Sequence, residues 1–144
     1  LIKELLPIAT LVTPNLPEAA VIVGYDVTNK EDMRKSARDI IALGAKSVLM
    51  KGGHLQESAD DLLYDGNEEI WFTGERINTK NTHGTGCTLS SALAANLALG
   101  SSLSDAVRIS KDYISLAISN ALDIGSGCGP THHFVNLYRK AGLL

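Results

Sequence analysis

Short apolar runs alternate with segments that begin like helices, and this alternation restricts the chain to one kind of architecture. Asn15-Leu16-Pro17-Glu18, Thr28-Asn29-Lys30-Glu31 and the pair Ser102 and Asp105 each set a side-chain acceptor three residues ahead of an acidic residue, the pattern of a helix start. Gly24, Gly44 and Gly100 stand where the helices should stop. Between them, Ala9–Thr13 and Ser47–Met50 read as buried strands. Leu62–Tyr64 and Ile70–Phe72 flank Asp65-Gly66-Asn67 and read as a hairpin, with Glu75–Ile77 extending its second strand. Met33, Ala37, Ile40 and Ile41 share one face of the second helix. A third helix is expected over Thr88–Leu99. A fourth carries Leu103, Val107, Ile114, Ala117, Ile118 and Ala121 toward a core, and a short one lies within Thr131–Leu144. Strands alternating with helices, interrupted by one hairpin, make a largely parallel α/β sheet with helices on its faces.

Composition excludes several functions. The 144 residues suffice for one domain with a real core, and 44% hydrophobic with 20% charged content is ordinary for a globular chain. A net charge of -3 and a pI near 5.8 argue against nucleic-acid or anionic-membrane partners. No apolar run approaches the roughly 20 residues of a membrane span, and no signal-peptide pattern opens the chain. Cys87 and Cys128 do not make a disulfide framework, which points to a reducing, cytoplasmic compartment. The chain opens on Leu1 inside an apolar segment, as a piece of a longer protein would.

The chemistry concentrates in Asn81-Thr82-His83-Gly84-Thr85-Gly86-Cys87-Thr88-Leu89-Ser90, a glycine-spaced polar loop running into an Ala/Leu-rich helix. Such a turn aims several N–H groups one way at the positive end of a helix dipole and so forms an anion site, although Gly-x-Gly before a helix can also be plain loop chemistry. Cys87, at the helix start, has three readings. It is a thiolate nucleophile with His83 as base, a polar group facing a substrate hydroxyl, or a small buried residue. Asn15 and Glu18 read as a helix cap, and Glu18 also as a carboxylate holding magnesium through water. Lys51 follows a strand directly and precedes Gly52 and Gly53. It either reaches phosphates as a point charge or is a solvated strand-end lysine. His54 reads as a loop residue, the adjacent His132 and His133 lack partners at metal-ligand spacing, and Cys128 has no assigned role. Asn15–Glu18, Lys51–Gly53 and Thr82–Cys87 each follow an expected strand, so all three are expected on the carboxyl edge of one sheet, where α/β sheets bind ligands.

Taken together, Thr13-Pro14-Asn15-Leu16-Pro17-Glu18-Ala19, Lys51-Gly52-Gly53-His54, Asn81 through Ser90 and Gly127-Cys128-Gly129-Pro130 resemble hydroxymethylpyrimidine/phosphomethylpyrimidine kinases of the ribokinase-like superfamily. The resemblance spans essentially the whole chain. It implies a three-layer α/β/α fold with a mostly parallel sheet, of which residues 1–144 are the C-terminal portion of a single kinase domain. It implies ATP and Mg2+ as cofactors, and phosphorylation of 4-amino-5-hydroxymethyl-2-methylpyrimidine and then of its monophosphate, in thiamine biosynthesis. Gly84, Thr85, Gly86 and Cys87 match the family's anion hole, with Cys87 where related sugar kinases carry an aspartate base. Thr82 matches the threonine opening that motif, Lys51 the lysine near the ATP phosphates, and Asn15 and Glu18 the element tied to magnesium and phosphate. The resemblance further implies a small-molecule pyrimidine partner and a homodimer in the full-length enzyme. Complete family members are nearly twice as long, and their N-terminal half carries most of the acceptor pocket and the lid. A pyridoxal kinase of the same superfamily, a catalytically incomplete nucleotide-binding fragment and a Cys/His hydrolase are the alternatives.

Overall fold

The computed structural model describes residues 2–53, 55, 59–74 and 76–143. They form two compact units, Leu1–Arg76 and Ile77–Leu144. Each is described by itself.

The first unit contains a 3-10 turn at Leu6–Ile8, helices α1 (Leu16–Val23) and α2 (Lys30–Ala42), and strands β1 (Val48–Met50), β2 (Asp61–Tyr64) and β3 (Glu69–Phe72). The strands lie in the order β1-β2-β3 and both pairings are antiparallel, with Leu49 opposite Leu63 and Leu62 opposite Trp71. Parallel pairing in this unit comes from an extended segment beside β1, through single bridges Val12↔Val48 and Asn15↔Lys51. The strand expected over Ala9–Thr13 is therefore shorter and later. Pro7 sits in the first turn of the 3-10 helix, Ala9 closes that helix, and Pro14 contributes a carbonyl to Lys51 but has no N–H for a continuous ladder. The hairpin falls where the Asp65-Gly66-Asn67 turn put it. Its expected extension breaks off, since Arg76 and Ile77 are outside any strand and Glu75 lies outside the described residues.

α2 starts one register later than the Thr28/Glu31 pattern suggested. Asn29 is the cap: the Asp32 N–H donates to its side chain, and Asp32 in return accepts from the Thr28 N–H at 3.0 Å. Both patterns are present in the sequence and the second is the one used; Met33, Ala37 and Ile40 lie on the buried face of the helix. These three pack with Leu16, Ala19, Val48, Met50 and Leu62 in one apolar core. At its edge the Trp71 ring is half-buried, with Lys30 and Arg34 each 5.2 Å from its centroid.

The second unit is built on α3 (Thr85–Ala98), α4 (Leu103–Ser119) and α5 (Val135–Lys140), with one parallel bridge, His83↔Pro130. α3 and α4 pack side by side and bury Leu89 and Leu93 together with Ala106, Val107, Ile114 and Ala117. Ser102 caps α4 as expected, accepting from the Asp105 N–H at 3.1 Å. Leu103, Ile118 and Ala121, expected in the core, are only partly buried. No helix among the described residues is long and apolar enough to cross a membrane.

Candidate functional site

In the first unit the candidate residues converge where the extended segment meets the end of β1. Lys51 follows β1 directly, and its N–H donates to the Pro14 carbonyl at 2.9 Å, which sets it beside Asn15. Asn15 and Glu18 make a complete capping box. The Glu18 N–H donates to Asn15 Oδ1 at 2.8 Å, and the Asn15 N–H donates to Glu18 Oε2 at 2.7 Å. That same Oε2 lies 3.9 Å from Lys51 Nζ, so the cap is also the near carboxylate of the lysine. Lys51 is 21% exposed and Glu18 57%, so this is a weak ion pair open to water, not a buried one. Gly52 is required next: its N–H donates to Asp61 Oδ1 at 2.8 Å, and a Cβ there would overlap the Asp60 carbonyl. Arg76 donates to the carbonyls of Gly53 and Leu55 and so ties down the turn that follows. His54 lies outside the described residues.

In the second unit the glycine loop is organised by a tight turn. The Thr82 carbonyl accepts from both the Thr85 N–H, at 3.3 Å, and Thr85 Oγ1, at 3.1 Å. Gly84 then takes φ +81, the left-handed region that favours glycine, and becomes the N-cap of α3. The helix starts at Thr85 and not at Thr88, so Thr85, Gly86 and Cys87 are its first turn instead of a loop ahead of it. No side chain caps this end. Among the described residues no hydrogen bond is made to the backbone N–H of Gly86 or Cys87. Cys87 is exposed, which removes its reading as a small buried residue. His83 is exposed too, and its backbone N–H donates to the Gly129 carbonyl at 3.2 Å.

Cys87 opens onto a groove of about 810 Å³ that runs between α3 and α4. Thr88 and Ser91 line it from α3, Asp112 and Tyr113 from α4, and His133 and Asn136 from beyond. The Tyr113 hydroxyl donates to the His133 carbonyl at 3.1 Å and joins two of these walls. Sequence reasoning missed the groove because its polar residues come from three separated segments and share no local spacing. His132 is structural: it is buried, its Nδ1 accepts from the Phe134 N–H, and its ring meets Tyr138 edge-on at 5.2 Å. Among the described residues no group of three or more His, Cys, Asp or Glu could hold a metal ion.

A βα chain with an uncapped, glycine-led helix start, a lysine at a strand end and helices packed about a small sheet is part of a ribokinase-like α/β kinase fold. The crystal structure of Bacillus subtilis pyridoxal kinase in complex with ADP matches it with a TM-score of 0.88 at 40% identity, over 94% of this chain and 54% of that one. The chain belongs to the phosphomethylpyrimidine kinase family, whose model matches residues 1–132. Hydroxymethylpyrimidine/phosphomethylpyrimidine kinase of Rhizobium meliloti is 51% identical over 138 residues, covering 93% of this chain and 52% of the relative. The enzyme of the same name from Streptomyces coelicolor is 47% identical over 130 residues, with 90% and 48% covered. The chain thus spans about half the length of the relatives it matches.

Proposed function

We propose that the chain carries the ATP-phosphate machinery of a hydroxymethylpyrimidine/phosphomethylpyrimidine kinase, as the C-terminal part of a single ribokinase-like domain. The open start of α3 at Gly84 supports this most directly, in a family of kinases. Phosphoryl transfer needs little covalent help from the protein. It needs the phosphates held still and the shifting negative charge met by fixed donors. The N–H groups of Gly86 and Cys87, left unbonded in the first turn of α3, supply such donors, and they need no reorganisation when charge moves onto the transferred group. In the reaction, the substrate hydroxyl oxygen bonds to the γ-phosphorus, the bond to the β,γ-bridging oxygen breaks, ADP leaves, and the hydroxyl proton is released to solvent late in the transfer. Cys87, exposed in the first turn, faces the hydroxyl and orients it; a loose transition state asks for little base catalysis. Thr82 opens the motif and fixes its turn. Lys51 acts as a point charge on the nucleotide's phosphates. Asn15 holds the Glu18 backbone, and Glu18 offers a carboxylate to magnesium through water.

That donor set fits magnesium, which keeps several waters and takes one or two carboxylates along with substrate phosphates. When bound, the ion neutralises charge on the phosphate oxygens. The substrate is a small pyrimidine bearing a hydroxymethyl group, the compartment the cytoplasm, and the full-length enzyme a homodimer. Nucleic acid has no role.

A pyridoxal acceptor is the second reading, favoured by the match to the pyridoxal kinase structure. ATP-dependent phosphorylation of hydroxymethylpyrimidine and of pyridoxal, assayed with this chain and with the full-length gene product, tests both. Turnover of the pyrimidine at full length is the expected result. Faster turnover of pyridoxal replaces the first reading with the second, and ATP-independent, thiol-dependent ester hydrolysis overturns both.

A further inference from the structure

The glycine loop has an unexpected neighbour. Asn81 is buried, at 7% exposure, and its Oδ1 accepts from the Gly129 N–H at 3.0 Å. The next bond runs the other way at the same residue: the His83 N–H donates to the Gly129 carbonyl at 3.2 Å. Gly129 is therefore gripped by two residues that straddle Thr82, and the Thr82 carbonyl is the one that closes the turn onto Thr85. A Cβ on Gly129 would stand 2.5 Å from Asn81 Oδ1, 2.9 Å from its Cγ and 3.0 Å from the Leu122 carbonyl. Any side chain there would force Asn81 to shift. Gly127, two positions earlier in the same loop, has nothing within 4 Å of where its Cβ would be. Plain loop flexibility would not single out Gly129 in this way.

We propose that Asn81 and Gly129 are a positioning pair for the phosphate loop: the grip on Gly129 sets the direction of the Thr82 carbonyl and, through it, the cap at Gly84 and the first turn of α3. The pair acts through the loop and touches no reacting atom. Its link to phosphate binding rests on the kinase reading, whereas its grip on the loop does not.

The test uses Gly129→Ala, Asn81→Ala and the double variant, with Gly127→Ala as control. Amide hydrogen exchange is followed at Thr85 and Thr88, whose N–H groups bond to Thr82 and Gly84. Binding of ATP and of adenosine is measured alongside. Gly129→Ala should speed exchange at Thr85 and Thr88 by about tenfold or more, leaving α4 within about twofold. It should weaken ATP by about tenfold, and adenosine by no more than about twofold. In the Asn81→Ala background the added effect of Gly129→Ala should shrink, because the clashing side chain is gone. Gly127→Ala should change none of these. Unchanged exchange at Thr85 and Thr88 overturns the proposal. So does an equal acceleration through α4, which marks general destabilisation. Should Gly129→Ala fail to fold, Asn81→Ala alone decides by the same exchange criterion. If the unaltered protein binds ATP no better than adenosine, the phosphate reading falls while exchange still decides the pair.

Discussion

Two helices of this protein begin in opposite ways. α1 closes its own start: Asn15 takes the Glu18 N–H and Glu18 takes the Asn15 N–H. α3 leaves its start open: Gly84 has no side chain to offer, and nothing else caps it. α2 and α4 follow the first pattern, with Asn29 and Ser102 as caps. An open helix start forgoes about 1 kcal/mol of capping stability; α5, behind Phe134, is uncapped too, and what sets α3 apart is the left-handed glycine at its start. On the proposed function, residues near α1 serve the fold first and ligand second, and at α3 the order is reversed.

The comparison can be broken from either side. Cys87→Ala in the full-length gene product should have the largest effect, a loss of about a hundredfold in turnover with ATP binding within about threefold, because orientation of the acceptor is lost and the amides remain. Near-normal turnover would remove Cys87 from the reaction. Gly84→Val should come next. A β-branched residue in the left-handed region costs about 1–2 kcal/mol, so ATP binding should weaken by about tenfold, whereas Asn15→Ala, which acts only through the position of Glu18, should weaken it less. Lys51→Ala should weaken ATP severalfold and adenosine hardly at all, with isothermal titration as the readout; equal losses would return Lys51 to a solvated strand end. Asn15→Ala should lower unfolding stability by about 1 kcal/mol in urea, whereas no change would mean the cap contributes nothing.

The smallest effect is on pH. The Thr28 N–H and its hydroxyl, with the Asn29 side of the cap, hold the Asp32 carboxyl below its usual range. A folded-state pKa below the unfolded one gives stability that is present above the unfolded value and lost as pH falls through the folded one. Asp32→Asn should therefore lower stability at neutral pH and flatten the acid limb below about pH 4, the two proteins converging once Asp32 is protonated. An unchanged acid limb would show that this cap does not contribute.

Much of this was legible in the sequence because it is local. Asn15, Gly24, Ser102 and the Asp65-Gly66-Asn67 turn announce their roles within four residues, and the structure puts each where its pattern does. The errors came where two local patterns competed or where pairing is not local. Thr28/Glu31 and Asn29/Asp32 are equally good caps on paper; the structure uses Asn29, and Asp32 takes the Thr28 N–H and hydroxyl in return. The start of α3 was placed late because Thr85-Gly86-Cys87 reads as loop by propensity, while the left-handed Gly84 begins the helix before it. Antiparallel pairing of β1 with β2 follows from a chain that turns back through Gly52 and Gly53, and no periodicity of three-residue strands encodes that direction. The grip of Asn81 on Gly129 joins residues 48 apart, beyond any motif.

Trp71, with Lys30 and Arg34 over its ring at the edge of the first unit, is the sole tryptophan of the chain. Its fluorescence is therefore a built-in reporter for residues 1–76, and loss of the two cations on its face should change the emission as that unit opens. The second unit, mostly helical and carrying only Tyr113 and Tyr138 as weaker emitters, is followed instead by far-ultraviolet circular dichroism. One denaturant titration observed both ways reports whether the protein melts in one step or two: coincident midpoints mean a single cooperative body, and separated ones give each unit its own stability.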